Sequence, residues 1–474
     1  MVEVVKSESV PAGTPATGWA DLLADGRLPR FALIMLGVWL NAADSLVTAT
    51  IMPSVGRALG GYQYFGWATA GFLLASVFAG ASSGLLAKRF GLRRAMAWAA
   101  FLYAAGCALS AAAPGMSLFL IGRVLQGLGG GWVSGFCSVA VGLLFPNRML
   151  PRMYSATAAV WGVATLLGPM VGGAFADAGV WRWVFWFFAI QGVAVGLASF
   201  ALLPSSEVGD KGARIAWIQL ALVTAGVGLV GLADISGGFG PSVALTVAGL
   251  AVLGGVLAID ARTHVRLLPH RAGDLSTTIG QGYAAMFLLT LASMGFSVYG
   301  AAILQTLKGY PALTAGYIIA VEALAWTLTA LLVAHWPPPW PRRLIRLGGV
   351  LVIAGMAAGA LAFPTANLIG VLISGTLLGS GFGASWAFMA QAILGATQED
   401  ERAIGAAGMS TVRLTGSAAG AAGCAAVANL AGFAGGFSAD AAARAGSWVF
   451  WASVPVAVLG ALASWRMGKS DAET

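Results

Sequence analysis

Fourteen runs of continuous apolar sequence, separated by short polar breaks, govern what this chain of 474 residues can become. They fall at about 30–53, 64–87, 95–113, 116–145, 153–176, 182–203, 215–234, 241–260, 276–306, 312–335, 344–363, 367–395, 403–430 and 446–466. A helix crosses the hydrocarbon of a bilayer with ~20 apolar residues, so each run suffices for one crossing. Charged residues make up only 9% of the chain, against roughly 25% in a soluble domain. So few charges cannot cover a water-facing surface. A soluble enzyme, a nucleic-acid binder and a disordered chain are thereby excluded. The ten-residue alternating segments of a membrane β-barrel are absent. The sequence predicts an all-α polytopic membrane protein with 14 spans.

Two long polar breaks, SSEVGDKGAR (205–214) and ARTHVRLLPHRAGD (261–274), divide the runs into six, two and six. The expected organisation is a cytoplasmic tail over 1–29, a six-helix bundle over 30–204 and a linker with two extra transmembrane helices over 205–274. A second six-helix bundle over 275–466 and a cytoplasmic tail over 467–474 complete it. The middle pair is apolar around nearly its whole circumference, whereas a helix lying on the membrane surface would carry a charged face. Placing both termini in the cytoplasm puts 20 of the 26 basic residues on that side, with only Arg57, Arg182, Lys308 and Arg444 opposite and Arg123 and Arg413 within spans. This is the bias of the positive-inside rule. It explains the net charge of +8 through contact with anionic lipid headgroups rather than nucleic acid. The polar, acid-containing N-terminus does not read as a cleavable signal peptide. The expected location is a cell membrane, the inner membrane of a bacterium, with the protein multi-pass and monomeric.

Ionisable residues inside spans are costly and point to function. In the first run Asn41, Asp44 and Thr48 share a face at spacings of three and four, with Asp44 near the middle. Asp44 reads as a proton-binding group or as half of a permanent ion pair. Arg123 lies inside the fourth run, with Gln126 one turn on, and needs an acceptor; Asp44 is the acidic candidate. In the second half, Glu322 sits mid-span with Trp326 one turn away, an arrangement suited to a lipophilic cation or to a second proton carrier. Arg413 is a candidate cavity residue or a structural partner for Glu322. Gln281, Tyr283, Ser297 and Tyr299 are candidate cavity residues too, or else interhelical hydrogen-bonding groups. Gly162, Gly168, Pro169, Gly172 and Gly173 give the fifth run a smooth surface kinked by proline. The basic loop GLLAKRFGLRRAM holds Gly84, Lys88, Arg89, Gly91 and Arg94.

Cys107, Cys137 and Cys424 fall inside apolar runs and read as buried small hydrophobes. The histidines and cysteines show no metal spacing, and no histidine pairs with an acid within a span. Neither a metal, a cofactor nor a catalytic set is expected, which disfavours a membrane-embedded transferase.

The loop resembles the G-x-L-A-D-R-x-G-R-R signature of the major facilitator superfamily, matched at Gly84, Leu86, Ala87, Arg89, Gly91 and Arg94. RVLQGLGGG resembles its arginine-based helix-4 motif, and GVATLLGPMVGG the helix-5 antiporter motif of exporters. LNAADSLVTATIMP, WRWVFWFFAIQ and STVRLTGSAAGAAG resemble segments of the fourteen-helix drug:proton antiporter branch. The resemblance covers nearly the whole chain. It implies a major facilitator fold, two six-helix bundles plus two linker helices, working by alternating access. It implies export of hydrophobic or cationic small molecules in exchange for protons; a lipid, siderophore or other amphiphile is the alternative cargo. In one place the chain departs from the pattern. Lys88 replaces the acid that, in the family, joins a charge network closing the cytoplasmic side, so the gate must be rearranged or weaker.

Overall fold

The computed structural model describes residues 27–145, 149–204, 216–233, 238–263, 265–334, 336, 339–436 and 438–467. Among the described residues there are fourteen α-helices and no strand. The first six are α1 (Arg27–Leu59), α2 (Trp67–Phe90), α3 (Leu92–Ala112), α4 (Met116–Leu144), α5 (Leu150–Asp177) and α6 (Arg182–Leu202). A hairpin follows, α7 (Trp217–Leu232) and α8 (Phe239–Asp260). The last six are α9 (Thr278–Lys308), α10 (Ala312–Val333), α11 (Trp340–Ala362), α12 (Leu368–Ala396), α13 (Arg402–Leu430) and α14 (Ala439–Arg466). Twelve are long and apolar enough to span a membrane unaided. Of the other two, α7 has only 16 residues, and α13 is diluted by Arg402, Arg413 and several hydroxyls. The chain is a multi-pass membrane protein. The tail expected over 1–29 lies largely outside the described residues, as do 205–215 and 468–474.

α1 outruns its expected limits of 30–53 because Pro53 sits inside it rather than ending it. A proline removes one backbone hydrogen bond and bends a helix without necessarily stopping it. At about 1.5 Å per residue, the 33 residues of α1 exceed the hydrocarbon thickness and carry both ends beyond it. Exposed tryptophans mark the two interfaces: Trp217, Trp340 and Trp465 at one face, Trp183 and Trp448 at the other. We call the face where α1 begins and α14 ends basal, and the opposite face distal.

Within each half, small residues let helix backbones approach. α3 meets α4 through Gly106 and Gly122; a Cβ on Gly106 would stand 2.6 Å from the Gln126 amide nitrogen. The three cysteines are buried and free. The loop between α2 and α3 turns at Gly91, whose φ of 78° is open to glycine at little cost.

The two bundles close on each other at the distal face. The Asp177 carboxylate, ending α5, accepts hydrogen bonds from the first backbone N–H groups of α10, Ala312 at 2.7 Å and Leu313 at 3.1 Å. Gly173 lies directly on the Leu313 backbone, where any side chain would collide. The Gln305 amide donates to the Thr50 carbonyl (3.3 Å), and Asn429 to the Gln63 carbonyl (2.8 Å). Phe65 packs between Tyr299 and Phe433, with ring centroids 5.3 and 5.6 Å away.

The α7–α8 hairpin lies along α2 and α13. Trp67 of α2 donates its indole N–H to the Gly231 carbonyl (3.2 Å). At the basal face the buried Asp260 accepts from the Leu267 and Leu268 backbone amides, at 2.8 and 2.9 Å, and from Gln219 at 3.2 Å. Arg266 then reaches Glu401, just before α13, at 3.0 Å.

Candidate functional site

The first-half site is a sealed polar network. Asp44 and Arg123 are each 1% exposed, with Nη1 of Arg123 2.7 Å from Oδ1 of Asp44. The same Nη1 also donates to the Gln126 side-chain oxygen, and Nε donates to the Ala68 carbonyl at 3.2 Å. The guanidinium lies over the Phe72 ring, 4.4 Å from its centroid. Thr48 donates to Oδ1 of Asp44 (3.3 Å) while also bonding the Asp44 carbonyl. The Tyr103 hydroxyl donates to Oδ2 at 3.3 Å. Gln126 continues the chain, donating to the Gly106 carbonyl (3.1 Å) and the Ser110 hydroxyl (2.7 Å). Four helices, α1 to α4, are thereby tied through one carboxylate and one guanidinium. Taking two charges out of water is tolerable only with such additional hydrogen bonds. Asn41 is half-buried, and its side-chain oxygen, next to Gly130, has no hydrogen-bond partner.

The second-half site is looser. Glu322 is half-buried, and its carboxylate accepts one long hydrogen bond from Ser297 of α9, at 3.3 Å. Trp326 stacks on Phe382 of α12, centroids 5.0 Å apart and 15° between planes, with Trp386 5.7 Å away. A carboxylate and three aromatic rings therefore share one region between α9, α10 and α12. Arg413 is half-buried and forms no ion pair with Glu322; among the described residues it has no acceptor. The structural pairing entertained for these two residues does not form.

The polar residues expected together on α9 are spread along it. Gln281 donates to the Leu275 carbonyl (3.0 Å) and Tyr283 to the Gly405 carbonyl (2.8 Å), both at the basal end. Ser297 serves Glu322. Tyr299 belongs to the distal aromatic closure.

On α5 the smooth surface is divided. Gly168 and Gly172 lie on Leu46 and Val47 of α1, and Gly173 and Pro169 face α10, where Gly316 would bring a Cβ within 2.9 Å of Pro169. Gly162, towards the basal end, has nothing within 4 Å. In the basic loop Lys88, Arg89 and Arg94 are exposed, Gly84 has open space, and no carboxylate pairs with the three cations among the described residues. Among the described residues, the charge network that the family acid would join is accordingly not assembled around this loop.

Sequence reasoning missed Tyr103, Ser110 and Asp177. A tyrosine and a serine in the small-residue run AFLYAAGCALSAA were the only local signals for the first two, and Asp177 closes the fifth apolar run.

Two helical bundles joined through a hairpin, closed at one face and carrying buried charge between their helices, define a membrane transporter rather than an enzyme. The chain belongs to the Major Facilitator Superfamily, whose family model matches residues 34–423, and the fourteen helices among the described residues fit the fourteen-helix branch. A protein of Mycobacterium tuberculosis named "probable multidrug-efflux transporter" is 26% identical over 85% of this chain and 88% of its own length. An efflux pump of Alternaria brassicicola is 29% identical over 58% of this chain and 52% of its own. Among solved structures, a D-xylose–proton symporter superposes with a TM-score of 0.63 at 18% identity, covering 93% of this chain and 97% of that one.

Proposed function

We propose that this protein is a proton-coupled exporter, an antiporter, of hydrophobic or cationic small molecules. It works by alternating access as a monomer in a cell membrane, the inner membrane of a bacterium, with both termini and the basal face in the cytoplasm. The observation that carries the reading is Glu322: a carboxylate deep in the helix array, half-buried, held by a single long bond from Ser297 and flanked by aromatic rings. Such a group can hold either a proton or a lipophilic cation, but not both. Asp44 is different, because every neighbouring donor already serves it. It acts as the tie of the first bundle, and its neutralisation loosens the α1–α4 contacts when the bundles rock.

In the distal-closed state cargo enters from the basal side and meets Glu322. Rocking that parts the distal α5–α10 contact opens that face, where a proton takes the cargo's place. The reverse motion returns the proton to the basal side. A ligand shifts such an equilibrium only by its differential affinity for the two states; here the charge on the carboxylates supplies that difference. The name of the Mycobacterium relative supports outward transport of drug-like cargo, and that of the Alternaria relative supports outward transport. The test is efflux from proteoliposomes under an imposed pH gradient. Cargo accumulation that collapses with the gradient supports antiport; accumulation indifferent to it refutes the coupling.

A further inference from the structure

Arg123 and Arg413 both lie within spans, and they are served very differently. The Arg123 guanidinium has a carboxylate, an amide oxygen, a backbone carbonyl and an aromatic ring around it. Arg413 of α13 is half-buried and has none of these among the described residues. A cation taken out of water without an acceptor is costly, so charged side chains in spans are paired or turned to a water-filled cavity. The described carboxylates of the second half are engaged or remote. Glu322 accepts from Ser297 at 3.3 Å, Glu401 pairs with Arg266 at 3.0 Å, and Asp274 accepts from Ser276 at 2.6 Å. Glu399 precedes α13 at the basal face, and Asp440 sits in the first turn of α14 at the distal face.

Three sides of α13 are taken. Ala421 and Ala425 lie against Gly66 at the start of α2, and Gly416 and Gly420 lie on the Phe287 and Leu291 backbones of α9. Ala418 and Leu414 pack in apolar clusters with Val227 and Val223 of the hairpin. Ala406, Ser410, Arg413 and Ser417 follow one another at spacings of four, three and four, so they share the remaining side. Ala406 and Ser410 are exposed, and the hydroxyls of Ser410 and Ser417 have no partner among the described residues. A guanidinium flanked by two unspent hydroxyls is wetted rather than turned to lipid, and its five N–H groups with the two O–H groups are the donors that an oxyanion needs. Arg413 stands eleven residues beyond the start of α13, and Glu322 eleven before the end of α10. Both of those ends are basal, so each charge lies about 16 Å along its helix from that face. Between them runs α9, packed against both helices.

We propose that Arg413, with Ser410 and Ser417, is a carboxylate-binding subsite, and that the preferred cargo is a zwitterion. Its ammonium end meets Glu322, its apolar body spans the inner face of the second bundle, and its carboxylate meets Arg413. The cargo supplies the acceptor that the protein withholds, so an anionic group raises affinity that a cation alone cannot reach. This cargo assignment rests on the exporter reading above.

The test compares two probes that differ in one group: an aromatic carboxylic acid bearing a remote tertiary amine, a zwitterion at neutral pH, and the methyl ester of the same molecule, a cation. Binding to the detergent-solubilised full-length protein is read by calorimetry for wild type, Arg413→Gln and Arg413→Lys. Wild type should hold the zwitterion at least tenfold more tightly than the ester. Arg413→Gln should weaken the zwitterion at least tenfold and leave the ester within twofold. Arg413→Lys keeps the charge without the planar fork and should fall between. Equal affinity of wild type for the two probes overturns the subsite whether or not the variants fold, and so does a preference that survives Arg413→Gln. Export from proteoliposomes under a pH gradient separates this from the exporter reading. Export of the ester by wild type that does not prefer the zwitterion sinks the subsite and leaves the exporter. Tight binding of the zwitterion with export of neither probe sinks the exporter reading and the cargo assignment with it.

Discussion

Removing the Asp177 carboxylate should pry open the distal face. In Asp177→Ala two hydrogen bonds from the N-terminus of α10 lose their acceptor, the Ala312 one at 2.7 Å and partly buried, the Leu313 one at 3.1 Å and exposed. Hydrogen bonds to charged groups contribute about 1.5–3 kcal/mol each, the exposed one at the low end or below. The helix dipole adds about 0.3–1 kcal/mol. Water replaces part of both once the face opens, so the net loss is about 2–3 kcal/mol. At 1.4 kcal/mol per factor of ten, that shifts the balance between distal-closed and distal-open states by roughly 30- to 150-fold. The assay is a spin-label distance measurement between Arg57→Cys and Lys308→Cys. Both positions are exposed, at the distal ends of α1 and α9, and the native cysteines are buried. Asp177→Ala should move the distance distribution towards longer values, and Asp177→Asn, which keeps one acceptor, should fall between. A distribution identical to wild type in the alanine variant would refute the carboxylate as a latch between the bundles.

Three further outcomes follow from the two buried sites. Asp44→Asn should abolish pH-gradient-driven efflux while the protein still folds, because the amide oxygen can accept from Arg123; gradient-driven transport at the wild-type rate would contradict the role. Arg123→Ala should destabilise more, by about 3–5 kcal/mol, since it strands a carboxylate that is 1% exposed; thermal unfolding in detergent reads the difference, and a melting temperature equal to that of Asp44→Asn would count against the network. Glu322→Gln should lose preference for cations over neutral cargo of the same shape; wild-type selectivity across a panel of cations would remove Glu322 from the site.

The helix count is written in the sequence because bilayer thickness fixes the length of an apolar run. The grouping of polar residues is not, since it depends on depth and rotation together. Gln281 and Ser297 are separated by sixteen residues, about 24 Å along a helix; one serves the basal end and the other Glu322. That separation could be computed from the sequence alone, whereas Tyr103 could not be found. It meets Asp44 only because Gly129 lets α4 lie against the Tyr103 backbone. Asp44 and Arg123 were legible as partners because each is an expensive charge in the same half of the chain. The same logic pointed from Glu322 to Arg413 as one alternative, and there it fails: Ser297 answers Glu322, and the α13 cation stands apart.

Proton exchange at Glu322 is most directly measured as proton release on cargo binding, with detergent-solubilised protein in weak buffer near neutral pH. Adding a lipophilic cation to wild type should acidify the solution by a stoichiometric amount, and the same addition to Glu322→Gln should leave the pH unchanged although the protein is folded. Cation binding to wild type with no release of protons at any pH between mild acid and mild base would contradict the exchange.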